Sequence, residues 1–247
     1  MEPMEIKAHV ARYYAALYAE HARGVRPCAS LPIKTGKDLA LELGYPVATL
    51  SAFLHESYWS SFLPCGNPLR CMDIAPGSRA LNLGCGAAVD SFALAALHGP
   101  DIEIVGMDVV ADVVGMAKKE GSRLGGARLL WACGDGDHLP FQGGSFDWVL
   151  MNGVLNLFPD KTTALRETRR VLKPSGRLAC ADLFAAEALP GYFAEEPDAW
   201  AWCMSGASTK RDIAAMIDAA GFGALRWIEE EAGDLFTRAV FSCRRES

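Results

Sequence analysis

The stretch Arg79–Asp90, R-A-L-N-L-G-C-G-A-A-V-D, decides how the rest of the chain is read. An apolar run of strand character enters a turn with glycine at 84 and 86, and a helix is predicted over Ser91–Leu97. Glycine has no Cβ, so the backbone can turn sharply there and leave room for a ligand. The first amides of the following helix lack intrahelical partners, which suits polar or anionic groups. The next unit extends the pattern: Glu103–Asp108, E-I-V-G-M-D, reads as a second buried strand ending in an acid. It lies about 20 residues beyond the glycines, the spacing at which a carboxylate meets ribose hydroxyls in nucleotide-binding α/β folds.

Strand and helix alternate through the middle of the chain. Strands are predicted at Ala80–Leu83, Ile102–Met107, Ala127–Ala132, Phe146–Met151 and Gly176–Asp182, with helices at Ser91–Leu97, Val110–Glu120 and Lys161–Leu172 between them. This alternation predicts an α/β fold, a doubly wound and mainly parallel sheet flanked by helices. Pro174-Ser175-Gly176 reads as a turn before the fifth strand. Ahead of the core, residues 4–23 carry Ile6, Val10, Tyr13, Tyr14, Leu17 and Tyr18 at helical spacing. Further helical stretches follow at Thr35–Leu43 and from near Ala48, so residues 1–75 are expected to form a helical N-terminal cap and 76–247 the core. Residues 184–208 read as an irregular, aromatic-rich insertion. A helix over Thr209–Ala220 and two strands, Leu225–Glu229 and Phe236–Cys243, close the chain as an antiparallel hairpin at the sheet edge.

The chain has 247 residues, 51% of them hydrophobic and 22% charged, which is an ordinary globular composition. The net charge of −6 comes with no basic run or stripe, so neither nucleic acid nor an anionic membrane surface is expected as a partner. No export signal and no membrane-length apolar stretch is visible, and a cytoplasmic location is expected. In a reducing compartment the eight cysteines read as thiols, and without paired C-x-x-C spacing no structural metal site is expected.

Three more pieces fall at predicted strand ends: Gly134-Asp135-Gly136-Asp137-His138-Leu139-Pro140-Phe141, Ser145–Asn152, and Arg170–Gly176. Taken in this order with the glycine turn and Asp108, residues 78–183 resemble the class I S-adenosylmethionine-dependent methyltransferases. The resemblance implies a Rossmann-like core and S-adenosylmethionine as cofactor, with S-adenosylhomocysteine as product. By it, Gly84 and Gly86 admit the methionine portion, Asp108 binds the ribose and the Gly136-Asp137 loop reads the adenine. Asn152 is placed near the sulfonium, and Tyr14 is the aromatic best placed to touch the cofactor. Asn82 stands where the first strand usually carries an acid, implying weaker attraction for the cofactor's ammonium.

A second resemblance spans roughly 13–222. Tyr13-Tyr14, Cys65-Gly66-Asn67-Pro68, the Asn152–Lys161 stretch, Asp182-Leu183-Phe184 and Cys203-Met204-Ser205-Gly206-Ala207 follow one another as in arsenite methyltransferases. It implies that Cys65 and Cys203 hold trivalent arsenic, a soft centre that prefers thiolates, beside the cofactor. Cys28 matches an additional, less essential cysteine of the family. A small-molecule arsenical, alone or as a thiol conjugate, is the implied substrate, with a small thiol or thioredoxin-type reductant as partner. The chain departs from the family at Gly153, where a third arsenic-binding cysteine is usual. Two thiolates leave one arsenic position for a small thiol, hydroxide or organic group, so the alternatives are a preference for monosubstituted arsenicals, recruitment of Cys28, or a different substrate. A small-molecule O-, N-, S- or C-methyltransferase and a non-catalytic metalloid or cofactor binder are the competing readings. Cys85, Cys133 and Cys180, in or beside predicted strands, are expected to be small core residues.

Overall fold

A computed structural model describes residues 2–22, 36–191 and 196–246. The described strands are β1 (Arg79–Leu83), β2 (Glu103–Asp108), β3 (Arg128–Cys133), β4 (Phe146–Asn152), β5 (Leu172–Ala185), β6 (Phe222–Ala232) and β7 (Phe236–Arg245). They form one sheet in the order β3-β2-β1-β4-β5-β7-β6. Strands β1 to β5 run parallel; β7 is antiparallel to β5 and to β6. This is the doubly wound, mainly parallel sheet expected. Central β1 is paired on both sides and buried almost throughout, which is why it reads as mostly apolar, with only Asn82 polar among its buried residues, and not as an alternation.

Among the described residues the α-helices are α1 (Pro3–Ala22), α2 (Gly36–Glu42), α3 (Val47–Leu50), α4 (Val89–His98), α5 (Ala111–Gly121), α6 (Lys161–Val171), α7 (Pro197–Ala201) and α8 (Lys210–Ala219). Local chemistry sets their starts. Asp160 accepts from Thr163 N at 3.1 Å to cap α6, and Thr209 accepts from Asp212 N at 3.1 Å to cap α8. On α6 the buried Ala164, Leu165, Thr168 and Val171 form one stripe against the sheet, the helical period visible in the sequence.

Two sequence expectations change. The Pro174-Ser175-Gly176 segment is not a turn before the fifth strand. Strand β5 already pairs at Leu172, and the extra residues form a bulge, with the register moving from Phe146↔Leu172 to Trp148↔Arg177 and Ser175 at φ 68°. The closing hairpin forms, but β7 enters the sheet beside β5 and only β6 lies at the edge. In the insertion, α7 packs on α1 through Ile6, Val10 and Trp200. Helix α1 thereby lies across the carboxyl ends of the parallel strands, above the point where strand order reverses between β1 and β4.

Candidate active site

A cleft opens at that reversal, the place where open α/β sheets bind ligands. Its floor is the β1–α4 turn, which takes left-handed backbone at Gly84 (φ 67°), Gly86 (φ 49°) and Ala88 (φ 59°). The glycines have a packing reason as well as a conformational one: a Cβ on Gly84 would collide with Val154, and one on Gly86 with the Tyr18 hydroxyl. Asp108 ends β2 against this turn. Its Oδ2 accepts from Gly86 N at 2.9 Å and its Oδ1 from Val110 N at 3.0 Å. Burial raises its pKa, and the backbone donors act against that shift.

Tyr14 and Tyr18 of α1 line the cleft, as do Asp135, Gly136, Asn152 and Gly153. Two residues proposed from the sequence do not. Asn82 is buried with its Nδ2 donating to Ser91 Oγ at 2.9 Å, and it points into the β1–α4 packing. Within the opening stretch, the carboxylate that lines the cleft is Asp90, at its other end. Asp137 sits behind the wall, ion-paired to Lys7 of α1, and Asp135 and Gly136 take the lining position. Lys7 bridges to Asp135 as well, at 2.7 Å, so α1 is pinned to this loop.

Beside the cleft, Cys65 Sγ, Cys203 Sγ and a carboxylate oxygen of Asp182 all lie within 4.8 Å of one another. Each is placed by a separate element. Cys65 sits on the turn that opens C-G-N-P. Its N–H donates to Asn152 Oδ1 at 2.9 Å, and Gly66 packs so tightly on β5 and β7 that a Cβ would lie 2.8 Å from Val240 Cγ2. Asn152 Nδ2 donates to Tyr45 Oη at 3.0 Å and lies 3.3 Å from Asp90 Oδ2. Its amide holds the Cys65 turn and its supports, while the residue itself lines the cleft. Tyr45 Oη donates to Asp90 Oδ1 at 2.6 Å; burial still raises Asp90 to about 6.

Cys203 follows α7 in the left-handed region, at φ 62°, a conformation that costs about 1–2 kcal/mol for a residue with a Cβ. Its Sγ donates to Gly153 O at 3.3 Å. The hydrogen bond with Cys65, burial and the nearby Asp182 push this thiol's pKa well up, so it is held protonated. Asp182 is buried within β5 and accepts from Leu183 N at 2.8 Å, Asn156 Nδ2 at 2.9 Å and Asn156 N at 3.1 Å. Tyr14 Oη donates to Ala201 O at 2.8 Å, tying the cleft wall to the segment that carries Cys203. Asp182, Tyr45 and Asn156 were missed as functional groups; Asp182 and Asn156 do stand inside the motifs quoted above.

The other cysteines divide differently from expectation. Cys85 and Cys180 are buried, but Cys133 is exposed, because β3 is the opposite edge of the sheet. Cys28 lies outside the described residues.

Fold and cleft define an α/β enzyme of the nucleotide-binding type. A family model described as a methyltransferase domain matches residues 74–221, and the chain belongs to that family of S-adenosylmethionine-dependent enzymes. An arsenite methyltransferase of Halobacterium salinarum is 36% identical over 163 residues, 66% of this chain and 42% of that one. A demethylmenaquinone methyltransferase of Bacillus cytotoxicus is 30% identical over 173 residues, 62% of this chain and 73% of that one. The crystal structure of CrArsM, an arsenic(III) S-adenosylmethionine methyltransferase from Chlamydomonas reinhardtii, superposes with a TM-score of 0.68 at 25% identity, covering 81% of this chain and 73% of that one. The present chain thus spans less than half the length of the Halobacterium relative. The cleft suits the family's cofactor by its donor set: Asp90 and Asp108 face it for an ammonium and hydroxyls, and Val10, Val109, Leu157 and Phe158 give an apolar wall for a flat base.

Proposed function

We propose that this enzyme transfers the methyl group of S-adenosylmethionine to trivalent arsenic held by Cys65 and Cys203. The observation that carries the reading is the meeting of two thiols from distant segments, each hydrogen-bonded to a residue that lines the cofactor cleft: Cys65 through Asn152 and Cys203 through Gly153. Thiolates are the ligands a soft centre prefers. When bound, the cofactor supplies an electrophilic methyl group on a sulfonium. Gly84 and Gly86 form the floor beneath it, Asp108 accepts from ribose hydroxyls and the Asp135–Asp137 loop borders the adenine. Asp90 takes the ammonium role first assigned to Asn82. Asn152 aims the Cys65 turn, while Tyr14 ties the cleft wall to the segment that carries Cys203.

No general base is needed to make the nucleophile, since trivalent arsenic carries its own lone pair. The protein contributes alignment and exclusion of water, and alignment alone is worth roughly 7–11 kcal/mol of barrier. The test is product mass spectrometry with S-adenosylmethionine and arsenite or methylarsenite. Cys65→Ser and Cys203→Ser are each expected to abolish arsenical turnover while leaving cofactor affinity within about twofold. Full activity in either variant overturns the reading.

A second reading, methylation of a small organic acceptor, is favoured by the demethylmenaquinone methyltransferase relative and by the absence of a cysteine at Gly153. It predicts turnover of such an acceptor that is indifferent to both cysteine substitutions.

A further inference from the structure

Trivalent arsenic has three ligand positions arranged as a pyramid. On the reading above, Cys65 and Cys203 fill two, and Gly153 places no side chain at the third. The protein nevertheless brings one more polar group up to the two sulfurs. An oxygen of Asp182 stands within 4.8 Å of both sulfurs, on a side chain that is completely buried. The carboxylate is rigidly set by Asn156 and by the Leu183 amide, which together give it three N–H donors. Those contacts leave acceptor capacity on a carboxylate. Asn156 is itself clamped, since a Cβ on Gly206 would run into its carbonyl oxygen, so the C-M-S-G-A loop and Asp182 form one packed unit. Lys161, buried nearby, is attracted to Asp182 and partly offsets its charge.

We infer that Asp182 is a specificity-determining residue of this site, accepting a hydrogen bond from the hydroxyl on the third position of arsenic bound to Cys65 and Cys203. The inference rests on the arsenic reading. A carboxylate is too hard a donor to compete with thiolates for the metalloid itself, but it is a strong acceptor for an O–H beside it. The binding step balances without any redox partner. Arsenous acid, As(OH)₃, exchanges two hydroxyls for the two cysteine sulfurs; the thiol protons leave with them as two waters, and (Cys–S)₂As–OH remains with arsenic still trivalent. Methylarsenite, CH₃As(OH)₂, undergoes the same exchange but leaves a methyl group in the third position, which has nothing to donate. Asp182 therefore favours inorganic arsenite, replacing by hydrogen bonding what Gly153 cannot supply by ligation.

Tryptophan fluorescence titrations of the full chain with arsenite and with methylarsenite test this. Asp182→Asn is expected to weaken arsenite binding about tenfold or more and methylarsenite binding no more than about twofold, the loss of a hydrogen bond to an ionised acceptor. Equal weakening of both, or an unchanged arsenite affinity, overturns the inference. Cys65→Ser and Cys203→Ser run alongside: if neither weakens either arsenical, it is the arsenic reading itself that fails. Should Asp182→Asn lose S-adenosylmethionine binding and so prove misfolded, infrared difference spectra of the wild-type protein decide. Arsenite is expected to shift a carboxylate stretch that methylarsenite leaves alone; the same response to both, or no shift, overturns the role of Asp182.

Discussion

At Gly153 the backbone has φ 67°, and a Cβ there would lie 3.2 Å from Cys65 Sγ. A third thiol at this position is thus not free. Gly153→Cys is expected to lose about 1–2 kcal/mol of stability for the left-handed backbone, read from urea unfolding, and to crowd Cys65. If the arsenic reading holds, the same variant gains affinity for inorganic arsenite, read by arsenite titration; an unchanged affinity counts against a third-ligand role for that position. Asp90 gives a pH prediction. Its pKa is raised to about 6 from 3.8, so the folded state holds the proton more tightly than the unfolded chain. Stability from this group is complete below about 4 and is lost as pH rises through 6, by up to about 3 kcal/mol. Function runs the other way, because only the ionised form attracts an ammonium. The Kd for S-adenosylmethionine is expected to rise as pH falls below 6, and Asp90→Asn to flatten that profile; a pH-independent Kd in the wild type would refute the role. Cys65 and Cys203 were legible because their motifs resemble a family. Asp90's place at the cleft was not, since the choice between Asn82 and Asp90 depends on which side chain Ser91 captures.

Among the elements, α1 does more than cover the core. It gives Lys7, Val10, Ala11, Tyr14 and Tyr18 to the cleft wall and is fastened by ion pairs to the Asp135–Asp137 loop and by Tyr14 to Ala201. A ligand filling the cleft must contact it, so hydrogen exchange across α1 is expected to slow when S-adenosylmethionine binds. Unchanged exchange would mean that α1 is only a cap. The helix itself was readable from its aromatic spacing, and strand and helix order from alternation. The β5 bulge was not, because Pro-Ser-Gly is the composition of a turn, and only pairing with β4 on one side and β7 on the other keeps it in the strand.

For the molecule as a whole, insertion of β7 between β5 and β6 makes the C-terminal residues part of the core. Phe241 is fully buried, with Phe184 and Trp227 rings at 6.1 and 5.2 Å. Phe241→Ala is expected to cost about 3–5 kcal/mol, measured by thermal or urea unfolding. The sequence reading placed this strand at an edge, where such a change is mild, because nothing local says which of two hairpin strands faces the sheet. Saturating cofactor should act in the opposite direction: at a hundredfold over Kd it adds about 2.7 kcal/mol, a rise of roughly 5–10 °C in Tm for a chain of this size.

The two sulfurs beside the cleft differ in how far they are enclosed. Cys203 is 4% exposed on the segment just after α7 that Tyr14 of α1 ties down at Ala201, whereas Cys65 is half-buried on its turn. A bulky alkylating reagent therefore marks residue 65 early and residue 203 only after the covering helices part. The lag between those two labels in a peptide map is a clock for how often the roof of this enzyme lifts.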